Sequence, residues 1–179
     1  MCGIVGIVSN KSVSASIISA LKKLEYRGYD SAGISTISNG QINEQKCSGR
    51  VDNLEKILFQ NPSSGDLGIG HVRWATHGVP NQVNAHPHSS EVVSVVHNGI
   101  IENHEALRQL LTQRGHVFQG QSDTEVLAHL VGELYEGDLE TAVRSALHKV
   151  EGAFAIAVIS VREPGVLVAA RRGSPLLVG

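Results

Sequence analysis

Cysteine is scarce. The 179 residues contain two, Cys2 and Cys47, too few for a disulfide framework. This fits a cytoplasmic chain with reduced thiols. Aromatics are scarce too, with one Trp, three Phe and three Tyr, so the core must be mainly aliphatic. Neither sign of charge dominates. A net charge of −2 gives no footing for nucleic acid or an anionic membrane as partner. Long apolar runs are missing: the longest, Ala153 to Ile159, is far too short to span a bilayer. The first residues lack the basic stretch of a secretory leader. Cys2 stands where a myristoylated chain needs glycine. No Gly-Lys-Ser/Thr phosphate loop occurs, and Gly68-Ile69-Gly70 lacks the third glycine of a dinucleotide fingerprint. The chain has nine histidines, but the zinc-protease pattern fails because Arg108 follows His104-Glu105-Ala106-Leu107. No Cys-rich ligand set is available either. The reading therefore expects no metal and no cofactor.

What is present suits a single α+β domain over residues 1–179. A composition that is 41% hydrophobic can bury roughly 70% of the unfolded surface. Residues 3–8 read as a buried strand. Val13, Ile17, Ile18, Leu21 and Leu24 lie on one helical face. Strands 33–38 and 41–48 flank Asn39-Gly40, a hairpin signal. Asp52 and Glu55 are spaced as a capping box for a short helix, which Asn61-Pro62 ends. A strand at 67–72 runs into a long aperiodic segment, 73–90, of the kind that usually carries function. A strand at 92–97 follows, then helices near 103–114, 123–136 and 139–149. Strands at 153–160 and 166–171 come last. Sheets at both ends with helices between them imply stacked layers. Residues 173–179 begin a new apolar stretch, as at the edge of a further domain.

Four places carry chemistry. Removing Met1 would leave a thiol and an α-amine together on Cys2. With unperturbed pKa values of about 8.5 for the thiol and about 7.7–8.0 for the amine, the amine can take the thiol's proton near neutral pH. Arg73, at a strand end beside the lone Trp74, offers the two-pronged match of a guanidinium to a carboxylate. Thr76 adds a hydroxyl and a backbone donor. His97-Asn98-Gly99 reads two ways. Asn-Gly between apolar runs is a hairpin turn, but an Asn amide and a Gly backbone N–H also form a donor pair for an oxyanion. Ser122-Asp123-Thr124-Glu125 is a capping box whose Asp123 could also hold an ammonium group. Together, Arg73 for an α-carboxylate, Asp123 for an α-ammonium and Cys2 at the far end describe an amino acid with a side-chain amide. Cys47 reads as core or strand surface.

Six stretches then fall in order: Cys2-Gly3-Ile4-Val5-Gly6, Glu25 to Gly33 (EYRGYDSAG), Arg73 to Gly78 (RWATHG), Asn84 to His88 (NAHPH), His97 to Asn103 (HNGIIEN) and Ser122 to Glu125 (SDTE). In them the chain closely resembles the glutaminase domain of the glucosamine-6-phosphate synthases, which are class II glutamine amidotransferases. The resemblance covers essentially the whole chain. It implies the N-terminal-nucleophile (Ntn) hydrolase fold, an αββα four-layer sandwich with two antiparallel sheets. It implies hydrolysis of L-glutamine to L-glutamate and ammonia through a glutamyl thioester on Cys2. The Cys2 α-amine would be the base, directly or through a water. Asn98 and Gly99 would form the oxyanion hole. Arg73, Thr76 and His77 would bind the glutamine α-carboxylate, and Asp123 with Gly99 the α-amine. Trp74 would lie on a closing loop, and Arg27 would brace the nucleophile. The family continues into sugar isomerase domains that use the ammonia to convert fructose 6-phosphate to glucosamine 6-phosphate; they are absent from these 179 residues. Two other readings are a different Ntn amidohydrolase and a non-catalytic glutamine-binding module. Retention of Met1 would turn the amine into an amide and remove the base.

Overall fold

The computed structural model describes residues 2–74 and 81–179. Met1, Thr76 and His77 lie outside the described residues, so the expectations placed on them have no structural counterpart here.

The chain opens with β1 (Gly3–Val8) and α1 (Ser14–Leu24), followed by a single 3-10 turn at Glu25–Arg27. Next come β2 (Ser31–Ser38), β3 (Gln41–Ser48), α2 (Val51–Gln60) and β4 (Leu67–Arg73). The second half has β5 (His88–Ser89), β6 (Val93–Ile101), α3 (His104–Gln113), α4 (Asp123–Glu133), α5 (Leu139–Lys149), β7 (Gly152–Ser160) and β8 (Leu167–Arg172). Two four-stranded sheets result, ordered β1-β4-β2-β3 and β5-β6-β7-β8. Every named strand pair is antiparallel.

Three apolar layers hold four structural layers together. Val13, Ile17, Ile18 and Leu21 of the α1 segment and Val51 and Leu54 of α2 pack on Ala32, Ile34, Cys47 and Val72, the outer face of the first sheet. Ile37, Leu67 and Ile69 meet Val96, Ala157 and Ile159 between the sheets. Leu107, Leu111, Val126, Leu127, Leu130, Leu139 and Val143 cover the second sheet's outer face at Val93, Val95, Ile156 and Val158. Full burial of each large aliphatic side chain contributes about 1.5–3 kcal/mol. The order is helices, sheet, sheet, helices, the αββα sandwich expected from the family. Cys47 lies in the first of these cores, one of the two places expected for it.

Local signals decide some boundaries, and residues distant in sequence decide others. Asn39 and Gly40 take φ of 53° and 69°, the pair of positive angles a type I′ hairpin needs. The α2 capping box does not form. The N-cap is Arg50, without a side-chain cap bond. Glu25, distant in sequence, accepts the Val51 N–H at 2.7 Å instead. Asp52, now within the first turn, pairs with Lys22 of α1 at 3.0 Å. At α4 half of the expected box is present. Ser122 accepts the Thr124 N–H at 3.2 Å, whereas Glu125 turns away to accept the Gln119 and Gly120 N–H groups at 2.7 and 2.9 Å.

Candidate active site

Strand alternation decides which side chains meet. On β4, Leu67 and Ile69 face the second sheet, so His71 and Arg73 share that face. On β1, Ile4 packs between the sheets, and Cys2 has the same parity. On β6, Val93 and Val95 face the helices while Val96 faces inward. Asn98 therefore points at the first sheet and His97 at α4. These strand ends meet at one edge of the sandwich, where apolar filling gives way to polar side chains.

Cys2 is held there through its sulfur and its carbonyl. The Trp74 N–H donates to Sγ at 3.2 Å, and the thiol faces the Trp74 carbonyl at 3.4 Å. The Cys2 carbonyl accepts Arg27 Nε–H at 3.0 Å and Asn98 Nδ2–H at 3.4 Å. Burial raises the thiol pKa above its usual value, and Asp30 adds to this; the Trp74 N–H and the Arg73 charge pull it down. The resting sulfur therefore favours its protonated form and needs a base to become a nucleophile.

Arg73 ends β4 and is 4% exposed. Burial lowers its pKa, while Cys2, Asp123 and Asp30 raise it, so Arg73 and Asp123 act on each other electrostatically across the site. Trp74 is half-exposed and meets the Tyr29 ring edge-on, centroids 5.9 Å apart.

The Asn98-Gly99 pair is not a turn. β6 runs through it without a break, with Asn98 opposite Ala155 and Gly99 opposite Phe154. The hairpin alternative is thus corrected: β7, which follows the helical region, supplies the partner strand. Gly99 has φ of 134°, and a Cβ there would run into the Ala153 carbonyl. Only glycine fits without strain.

Asp123 starts α4 and is buried. Its Oδ2 accepts the Ile101 N–H at 2.9 Å and lies 3.8 Å from His97 Nδ1. The neighbouring Thr124 hydroxyl bonds His86 Nε2 at 2.7 Å and His97 Nδ1 at 3.0 Å. His71 Nε2 lies 2.9 Å from Asn98 Oδ1 and 3.1 Å from the His97 carbonyl, and its ring stacks on His86 at 4.2 Å. Burial lowers the His71 pKa to about 3 and holds His86 and His88 well below their usual value. These histidines are neutral. Among the described residues, no group of three His, Cys, Asp or Glu side chains could hold a metal.

Sequence reading missed His71, Thr124 and Glu25. The alternation of β4 was enough to turn His71 inward with Arg73. Nothing local pointed to Thr124 or Glu25, whose partners lie on distant segments. The site as described offers a sulfur, an amide NH₂ that donates to the carbonyl of the same cysteine, and buried charges of both signs nearby. That set matches attack on an acyl carbon of a zwitterionic substrate.

Residues 71–176 match the family model described as a glutamine amidotransferase domain. The glutamine–fructose-6-phosphate aminotransferases (isomerizing) of Clostridium acetobutylicum, Clostridium tetani and Mesorhizobium japonicum are each 52% identical over 181 aligned residues. Each alignment covers 100% of this chain and 30% of the relative, so the chain spans under a third of those proteins. Among solved structures, a glutamine phosphoribosylpyrophosphate amidotransferase from B. subtilis, complexed with ADP and GMP, superposes with TM-score 0.74 at 29% identity. It covers 90% of this chain and 35% of its own. An allosteric regulatory enzyme of purine biosynthesis gives 0.77 at 29%, covering 90% and 36%. Among the described residues no helix is long and apolar enough to cross a membrane.

Proposed function

The chain belongs to the glutamine amidotransferase domain family, and from that premise we propose that it hydrolyses the side-chain amide of L-glutamine to L-glutamate and ammonia through a Cys2 glutamyl thioester. The observation that carries the reading is the setting of Cys2. Its sulfur receives the Trp74 N–H at 3.2 Å, and its carbonyl receives Asn98 Nδ2–H at 3.4 Å.

Glutamine binds with its α-carboxylate on Arg73 and its α-ammonium beside Asp123, which brings the amide carbon to Cys2. Thr76 and His77 add to the carboxylate contacts, and Trp74 covers the site. The α-amine of Cys2, freed by loss of Met1, takes the thiol proton directly or through a water, and sulfur attacks the amide carbon. Charge moves onto the carbonyl oxygen, which Asn98 Nδ2–H and Gly99 N–H stabilise; such donors are each worth about 10²–10³-fold in rate. Collapse expels ammonia, with the base returning its proton to the leaving nitrogen. Water then attacks the thioester, the same base accepts its proton, and glutamate and the free thiol are restored. Arg27 fixes the Cys2 carbonyl throughout. In a longer protein built like the curated relatives, the ammonia would pass to sugar isomerase domains and aminate fructose 6-phosphate.

Intact-mass measurement beside a glutaminase assay tests this, followed by exposure to a glutamine analogue bearing an electrophilic ketone. The expected result is turnover only where Met1 is absent, and an adduct on Cys2. Full turnover with Met1 retained, or labelling confined to Cys47, would overturn it. Free L-glutamine should also be preferred to α-blocked glutamine, because masking either α-group removes the charge that Arg73 or Asp123 would hold.

A further inference from the structure

We propose that His71 is the residue that orients the Asn98 amide, turning its NH₂ toward Cys2 and keeping it there. The proposal rests on the reading of Asn98 as an oxyanion donor, and the geometry behind it is independent of that reading.

An Asn side chain has two ends of nearly the same shape. Only one of them can donate hydrogen bonds. An oxyanion hole built on such a side chain works in one orientation and repels the developing charge in the other, so something has to decide between the two.

The decision traces back to a backbone carbonyl. His71 Nε2 lies 3.1 Å from the His97 carbonyl oxygen, and a carbonyl can only accept. Nε2 must therefore carry the proton. The ring is fully buried and neutral, with its pKa held to about 3, so it has one N–H and Nδ1 is bare. Nδ1 has no hydrogen-bond partner, and the His86 ring lies stacked on the imidazole at 4.2 Å with an interplanar angle of 19°. Since Nε2 donates, the Asn98 atom 2.9 Å from it must accept, which makes it Oδ1. Nδ2 then faces the other way, toward the Cys2 carbonyl at 3.4 Å, with a second N–H left for an incoming oxygen. A flipped amide would set donor against donor at His71 and acceptor against acceptor at Cys2. The His97 carbonyl thus fixes the His71 tautomer, and the tautomer fixes the amide. The two histidines sit on different sheets, so the same bond ties β4 to β6 at the site.

His71 touches neither sulfur nor the substrate position assigned above, so it acts through Asn98 as a positioning residue. Two measurements test this. Long-range ¹H–¹⁵N correlation on the unsubstituted protein should show His71 as the neutral Nε2–H tautomer across the working pH range; an Nδ1–H tautomer would overturn the proposal. Kinetics of His71→Leu, His71→Gln, Asn98→Ala and the His71→Leu/Asn98→Ala double variant form the second. His71→Leu should lower kcat by about 10²-fold, the scale of one lost oxyanion donor, with KM for glutamine little changed. His71→Gln, whose amide N–H falls near the position of Nε2, should recover most of the loss. In the Asn98→Ala background His71→Leu should cost nothing further, as expected for residues acting as a unit. A folded His71→Leu with kcat within about threefold of the parent, or one that loses the same factor with and without Asn98, would overturn the proposal. The tautomer is read without substitution, so it decides the geometry even if His71→Leu fails to fold. A parent protein that turns over no glutamine would remove the function proposed above and leave the tautomer result standing.

Discussion

Asp123 Oδ2 accepts the backbone N–H of Ile101 across 2.9 Å, joining the first turn of α4 to the end of β6. One carboxylate thus has a fastening task, alongside the ammonium-binding task proposed for it. The two separate by substitution. Asp123→Asn keeps an acceptor for the Ile101 N–H and removes the charge. It should fold normally and raise KM for glutamine by about tenfold or more, the scale of one lost charged hydrogen bond. Asp123→Ala removes both and should also lower stability by about 1–3 kcal/mol, because a buried N–H is left unsatisfied. Steady-state kinetics with thermal unfolding distinguishes the pair. An unchanged KM in Asp123→Asn would reduce this residue to a helix fastener.

Cys2→Ala should abolish turnover and still bind glutamine, since none of the proposed α-group contacts involves the sulfur. Calorimetry on the folded variant checks this. No detectable binding would count against the roles given to Arg73 and Asp123.

Gly99→Ala should destabilise the protein by about 1–3 kcal/mol or more, the scale of a strained backbone position. Its φ of 134° is hostile to a side chain, and the new Cβ would meet the Ala153 carbonyl on β7. Any folded fraction should turn over glutamine poorly, because the strand must shift where the donor pair sits. Denaturant titration and the glutaminase assay read both effects; an unshifted midpoint would mean the strand relaxes easily there.

Acidification should weaken the fold before carboxylates titrate. The folded-state pKa of His71, about 3, lies below its unfolded value near 6.5. The stabilisation is thus fully present above about pH 6.5 and is lost as pH falls toward 3. The full effect approaches about 5 kcal/mol at 1.36 kcal/mol per unit. His86 and His88 shift in the same direction and steepen the slope. Unfolding midpoints between pH 6.5 and 5 isolate the histidines, because carboxylates titrate nearer 4. A flat profile across that window would contradict burial of these rings as neutral species.

The elements most readable in the sequence were those with a single local cause. Apolar runs marked the long strands of the described residues, helical spacing marked α1, and Asn39-Gly40 announced its hairpin. The sequence was silent where the cause lay elsewhere in the chain. α2 is capped by Glu25 of a preceding turn, so Asp52 and Glu55, spaced correctly for a box, never form it. Asn98-Gly99 has the composition of a turn, but β7 pairs straight across it and overrides the local preference. The stretches around Cys2, Arg73 and Asn98 stood out as chemistry-bearing. That their strand ends meet required the stacking of two sheets, and for the same reason His71 escaped notice: its partners are on the facing sheet.

Cys2 precedes a strand of one sheet and Asn98 sits on a strand of the other, with Ile4, Ile37, Leu67 and Ile69 facing Val96, Ala157 and Ile159 in the gap between. That filling works as a shim. A methylene removed from it would let the jaws close by a fraction of an ångström, and the sulfur-to-amide spacing would follow, with no residue of the site altered. Volume should therefore be conserved across the gap more strictly than identity, an enlargement in one jaw answered by a trim in the other.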